Sequence, residues 1–118
     1  MEPAHLLGAG GAIGAVLRYA VGHWIVHDRI PLSTLTVNVV GSFVLGLVVF
    51  AGLGNDLVLF VGTGACGSFT TYSSFSVQTV RMWETGDRVR AVMYAGGTLG
   101  LCVLAAGIAA GIVFLVTS

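Results

Sequence analysis

Residues Gly67 to Ser76 read G-S-F-T-T-Y-S-S-F-S, so serine and threonine hydroxyls crowd the middle of an apolar span long enough to cross a bilayer. Hydrocarbon supplies no replacement hydrogen bonds, so a polar, easily broken segment at that depth has to line a cavity or a protein interface. The segment predicts a chain built around a path for an ion or a solute.

Composition places the rest of the chain in the membrane. Hydrophobic residues make up 56% and charged residues 8% of 118 residues, and the mean hydropathy is +0.97. About a quarter of the residues carry charge in an ordinary soluble domain. The apolar residues here are too many and too continuous to hide inside so small a volume, so lipid has to cover most of them. The formal net charge is zero, from arginines and acids with no lysine. That leaves no basic face able to neutralise a run of phosphates and excludes a nucleic-acid partner. Cys66 and Cys102 both fall inside apolar spans and read as small packing residues rather than a disulfide framework. Glu2 and the lack of a basic leader segment do not fit a cleavable signal peptide, so the first span is expected to be retained.

Apolar segments run from about Ala4 to Val26, Leu32 to Leu53, Leu57 to Met82 and Val89 to Val116. Each reaches the roughly 20 residues that a helix needs to cross about 30 Å of hydrocarbon. The breaks are H-D-R-I-P at His27 to Pro31, a tight turn at Gly54, Asn55 and Asp56, and W-E-T-G-D-R at Trp83 to Arg88. Connections this short make neighbouring helices antiparallel and put both termini on one side. Trp24 and Trp83 fall at span ends on the opposite face, where amphipathic rings favour the headgroup layer. The sequence predicts an all-α membrane protein of one transmembrane domain over residues 1–118.

Eighteen glycines would be poor helix design in water, but in lipid close backbone approach drives helix association. Gly10 with Gly14, Gly96 with Gly100, and Gly107 with Gly111 form G-x-x-x-G, and Ser42 with Gly46 forms the looser small version. These faces are expected to pack helix against helix. So small a bundle encloses little beyond its own packed centre, so a conducting path would form most naturally between subunits of a dimer.

The polar residues inside the spans are the candidates for lining it. Asn38, in T-L-T-V-N-V-V-G-S-F, can offer amide donors to a cavity without burying a charge, or it can hydrogen-bond a neighbouring helix. Arg18 is the full charge well inside a span, and reads equally as an anion attractor at a vestibule or as an interface anchor. Tyr94, Thr98 and Cys102 recur every four residues, placing two hydroxyls and a thiol on one helical stripe.

What is absent matters too. Glu2, Asp28, Asp56, Glu84 and Asp87 all lie at span ends or in loops, so no mid-membrane acid is available for the proton cycle of a small multidrug exporter. No nucleophile triad, metal-ligand cluster or phosphate loop is present, and His5, His23 and His27 lie near span ends, so the chain does not read as an enzyme.

Taken together, G-G-A-I-G-A-V-L-R-Y at Gly10 to Tyr19, T-L-T-V-N-V-V-G-S-F at Thr34 to Phe43 and G-S-F-T-T-Y-S-S-F-S at Gly67 to Ser76 resemble the Fluc (CrcB) fluoride channel family over essentially the whole chain. The resemblance implies a passive fluoride exit channel in a prokaryotic plasma membrane, an antiparallel dimer with two pores, and a third helix broken near its middle. It also implies a central structural Na⁺ held by main-chain carbonyls, here those of Gly67 and Thr70. By motif position Tyr72 and Phe75 match the aromatic pair whose ring edges line the pore, Asn38 the pore asparagine, and Arg18 the arginine of the first helix. Tyr94, Thr98 and Cys102 fall on the family's fourth-helix polar track. The chain departs from the family at three of these places, with Tyr72 for phenylalanine, Gln78 for glutamate and Cys102 for serine.

Arg29, Arg81, Arg88 and Arg90 lie on the face opposite the termini. The positive-inside rule then predicts one fixed orientation with both termini outside the cytoplasm. A homodimer of oppositely inserted chains needs nearly balanced charge, so a second subunit of opposite bias is an alternative to self-pairing. Two other readings stay open, a non-conducting subunit that supports a partner's pore and a small-solute or drug exporter.

Overall fold

The computed structural model describes residues 2–25 and 30–117, and among them every regular element is a helix. Helix α1, Pro3–Trp24, starts on a proline whose missing N–H and fixed φ suit the first helical turn. The charged exit expected at His27 to Arg29 lies outside the described residues. Helix α2 covers Leu32–Phe50. The reversal after it comes at Gly52, whose φ of +66° lies in the left-handed region that glycine favours. Gly54 is extended and Asn55 already opens the next helix, so the turn falls before the G-N-D motif rather than on it.

The third span is one helical run, α3, made of Asn55–Leu57, a π-helical stretch Val58–Cys66 and a final turn Gly67–Phe69. The chain then leaves the helix. Thr70 (φ −81°, ψ 162°) and Thr71 (φ −148°, ψ 121°) are extended, and helix α4, Tyr72–Glu84, resumes beyond them. The broken third helix expected from the hydroxyl-rich segment is therefore present, with the break at Thr70–Thr71. Gly86, at φ +92°, makes the last reversal, and α5 runs from Arg88 to Thr117. Trp24 closes α1 and Trp83 lies in the last turn of α4.

Two parallel helix pairs make the most extensive packing, α1 with the π-helical part of α3 and α2 with α5. Glycine explains the first. A Cβ at Gly10 would collide with the Phe60 carbonyl, and one at Gly14 with the Ala65 carbonyl and the Ser68 hydroxyl, so backbone lies directly on backbone. In the second pair a Cβ at Gly46 would come within 2.9 Å of the Ala109 Cβ. Helix α4 leans antiparallel on α5, with the Phe75 and Tyr94 rings 5.4 Å apart.

The G-x-x-x-G pairs of α5 behave differently from the expectation. A Cβ at Gly96, Gly100, Gly107 or Gly111 would meet nothing within 4 Å. These glycines lie about half a turn round α5 from Ala91, Tyr94, Thr98, Ala105 and Ala109, the face buried against α2 and α4. Their stripe is therefore open on the outside of the chain. The rest of the exterior is apolar as well, with Val16, Val92, Leu99 and Phe114 all more than half exposed, as a lipid-covered surface requires. Helices α1, α2 and α5 are each long and apolar enough to cross a membrane.

Candidate functional site

A helix break in mid-membrane strands backbone groups, and the sequence places partners for some of them. Asn38, on α2, accepts the Thr71 N–H at 2.8 Å on Oδ1 and donates through Nδ2 to the Thr71 carbonyl at 3.0 Å. One amide thus satisfies both polar groups of the most extended residue. The Thr71 hydroxyl caps α4 by accepting the Ser74 N–H at 3.2 Å. On the other side of the break the Thr70 hydroxyl donates to the Cys66 carbonyl at 2.9 Å. Ser68 donates to the Gly11 carbonyl at 2.7 Å, which ties the end of α3 to α1.

Other groups are left open. Among the described residues no backbone N–H reaches the Gly67 or Thr70 carbonyl, and the Tyr72 and Ser73 N–H groups have no acceptor. The break therefore shows oxygens at the end of α3 and N–H groups at the start of α4, as the two ends of any helix do. Both ends border an open groove of about 870 Å³ whose walls include Asn38, Gly67, Thr70, Thr71, Tyr72, Phe75, Thr98 and Cys102.

Aromatic rings climb one wall. Tyr72, 81% exposed, lies 6.3 Å from Phe75 at a tilt of 40°, and Phe75 in turn meets Tyr94. Tyr94 is buried and donates its hydroxyl to Gln78 Oε1 at 3.3 Å, so the two are partners of each other behind the groove. Thr98 is only 5% exposed, and its Oγ1 has no hydrogen-bond partner. Cys102 is a free, half-buried thiol, and Cys66 is free and buried.

The structure thus brings Asn38, Gly67, Thr70, Tyr72, Phe75, Thr98 and Cys102 to one groove, with Tyr94 and Gln78 adjoining it through Phe75. Arg18 is not among its walls and is exposed on α1. The asparagine is more committed than its sequence position suggested, because the break takes its oxygen and one of its two N–H groups. Thr71 and Ser68 carry structural roles that the sequence reading did not assign. The usable signal for both is the hydroxyl run itself, since freed helix ends in lipid need side-chain caps. No group of three or more His, Cys, Asp or Glu that could hold a metal occurs among the described residues. The donor-free carbonyls of Gly67 and Thr70 are hard oxygens, a set that suits a hard cation.

Comparison with known proteins settles the family. The family described as CrcB-like protein, Camphor Resistance (CrcB), matches residues 5–112. The chain belongs to the CrcB family. Relatives of this family include one from Haloarcula marismortui, named fluoride-specific ion channel FluC 2, 53% identical over 98% of both chains. Another from Halobacterium salinarum, fluoride-specific ion channel FluC 1, is 46% identical over 98% of this chain and 94% of its own. A third from Rhizobium etli, fluoride-specific ion channel FluC, is 42% identical over 89% of this chain and 90% of its own.

Proposed function

We infer that the chain forms a passive fluoride-selective channel of a prokaryotic plasma membrane, and that it is a conduit rather than an enzyme. The observation that carries this is the groove at the mid-membrane break, found in a CrcB-family chain whose relatives bear the name of fluoride channels. Fluoride is small and strongly hydrated, so a path for it has to replace water with close donors. The groove offers the remaining Asn38 N–H, hydroxyls, and the positive edges of the Tyr72 and Phe75 rings. None of its walls is a full positive charge, which would hold the anion too tightly, whereas several weak sites allow both entry and exit.

The groove is open along one side, and closing it takes a second subunit. In this reading two chains pair antiparallel, the open glycine stripe of α5 meets the mate, and each groove becomes a pore. A Na⁺ ion would sit where the Gly67 and Thr70 carbonyls of both subunits converge, as a structural staple apart from the fluoride path. Its charge would offset the carbonyl ends of the broken helices.

Purified protein in liposomes loaded with fluoride tests the function. Fluoride efflux without ATP or a proton gradient, with chloride retained, is the expected result. Proton-dependent transport of an organic cation instead would overturn the channel reading in favour of an exporter. A second reading has its own observation. Arg81, Arg88 and Arg90 cluster round the α4–α5 turn, where Arg90 pairs with Asp87 at 2.6 Å and Arg88 lies 4.9 Å from the centre of the Trp83 ring. That bias favours one orientation and a mate of opposite bias. Flux that appears only with such a partner would select the heteromer, and flux from this chain alone would exclude it.

A further inference from the structure

The turn between α4 and α5 carries a charge that no other group of the chain neutralises. Arg90 takes the Asp87 carboxylate. Arg88 has no carboxylate partner among the described residues. Glu84, the nearest other acid in sequence, precedes the reversal at Gly86 and forms no ion pair with it. The Arg88 guanidinium lies instead over the Trp83 ring, and the residue is exposed.

A guanidinium stacked on a ring gives up one face and keeps its N–H edge free, because its donors point outward in its own plane. That edge is a fork that fits two oxygens of a phosphate. Trp83, 46% exposed, lies in the last turn of α4, at the depth where an indole favours the headgroup layer. Val89 and Val92, 72% and 61% exposed, follow within the first turn of α5, and Val92 is one turn inward from Arg88 on the same side. Going into the membrane, the surface therefore runs from a free cation on an indole to bare hydrocarbon. A soluble anion uses only the first part of that surface. An amphiphile with a phosphate head uses all of it.

We propose that Trp83 and Arg88 form a seat for the headgroup of an anionic phospholipid, with its phosphate on the Arg88 fork, its glycerol against the indole and an acyl chain along Val92. Charge decides the lipid class. A zwitterionic head brings an ammonium that competes with Arg88 for the phosphate, whereas an anionic head supplies the counter-charge that Arg88 lacks. The seat is compatible with a mate on the glycine stripe, since Gly100 and Gly107 lie roughly 18 and 28 Å farther along α5 at its rise per residue. It goes beyond the fluoride reading and holds whatever the groove conducts.

Trp83 reports on its own lipid neighbour. In a Trp24→Phe background it is the one tryptophan of the chain, and a bromine atom on an acyl chain quenches an indole only at close range. The full-length protein is reconstituted into mixed vesicles of phosphatidylglycerol and phosphatidylcholine, with one lipid or the other brominated, and the quenching curves give the relative affinity at Trp83. Phosphatidylglycerol is expected to be preferred about fivefold, the scale of one arginine at an anionic surface. Arg88→Gln is expected to abolish the preference. Arg81→Gln makes the same change in charge, but Arg81 is two residues from Trp83 and so about 200° round α4, and the preference is expected to survive. No preference in the parent protein overturns the proposal, and so does an equal loss in the two arginine variants, which would leave only a diffuse attraction of the whole turn. Relief of quenching by soluble glycerol phosphate at the same phosphate concentration would replace the lipid with a free phosphate and overturn it as well.

Discussion

Asn38 gives its amide oxygen and one amide hydrogen to a single residue, Thr71, at 2.8 and 3.0 Å. Because Thr71 contributes one donor and one acceptor, the orientation of the amide is fixed. The side chain is therefore a clamp on the break first and a donor to the groove second. Asn38→Leu leaves both Thr71 groups unpaired, at a cost of about 1–3 kcal/mol each, and a lower thermal transition in detergent is the expected result. Asn38→Asp keeps the bond to the Thr71 N–H but places a negative charge on the groove wall. At ~4 Å and an effective dielectric of about 20 the repulsion of an anion is ~4 kcal/mol, so fluoride flux is expected to fall by roughly three orders of magnitude.

At the scale of the element, the third span is informative because it is irregular throughout. Its first half is π-helical from Val58 to Cys66, a form that is rare outside functional places, and it is the part against which α1 lies closest. Gly10 and Gly14 make that approach possible. Gly14→Ala is expected to destabilise the protein by about 1–3 kcal/mol, the usual cost of overpacking. Gly8→Ala, where a Cβ would meet nothing within 4 Å, is expected to be neutral or to stabilise by up to about 1 kcal/mol, since alanine is the better helix former. A melting comparison of the two in detergent checks the pair. Equal shifts would show that the close approach does not control stability.

For the whole molecule, the open glycine stripe and the one-sided arginines both concern how chains assemble. Gly100→Leu and Gly107→Leu have room within the chain, so they are expected to leave its helices intact and to lower the dimer fraction counted by single-molecule photobleaching in liposomes. The arginine-rich α4–α5 turn belongs in the cytoplasm by the positive-inside rule, which puts the C-terminus outside. A reporter fused there is expected to be found outside in nearly every molecule. Equal populations on the two sides would remove the case for an oppositely biased partner and restore the self-paired dimer.

Much of this was legible in the chain itself. Four apolar spans, their short connections and the hydroxyl-rich interruption between Gly67 and Ser76 dictate helices in lipid with a break in the third, because the bilayer admits few alternatives for a backbone it cannot hydrate. The family motifs also marked most of the residues that meet in the groove. The sequence did not say which glycines pack within the chain, since Gly14 and Gly100 sit in the same G-x-x-x-G pattern, and only the packing of α1 on α3 buries the first while the rotation of α5 against α2 turns the second outward. Nor did it say that the Asn38 amide is already engaged or that Thr98 is left unpartnered. Whether a polar side chain is free depends on what lies across from it, and that is set by contacts between residues far apart in the chain.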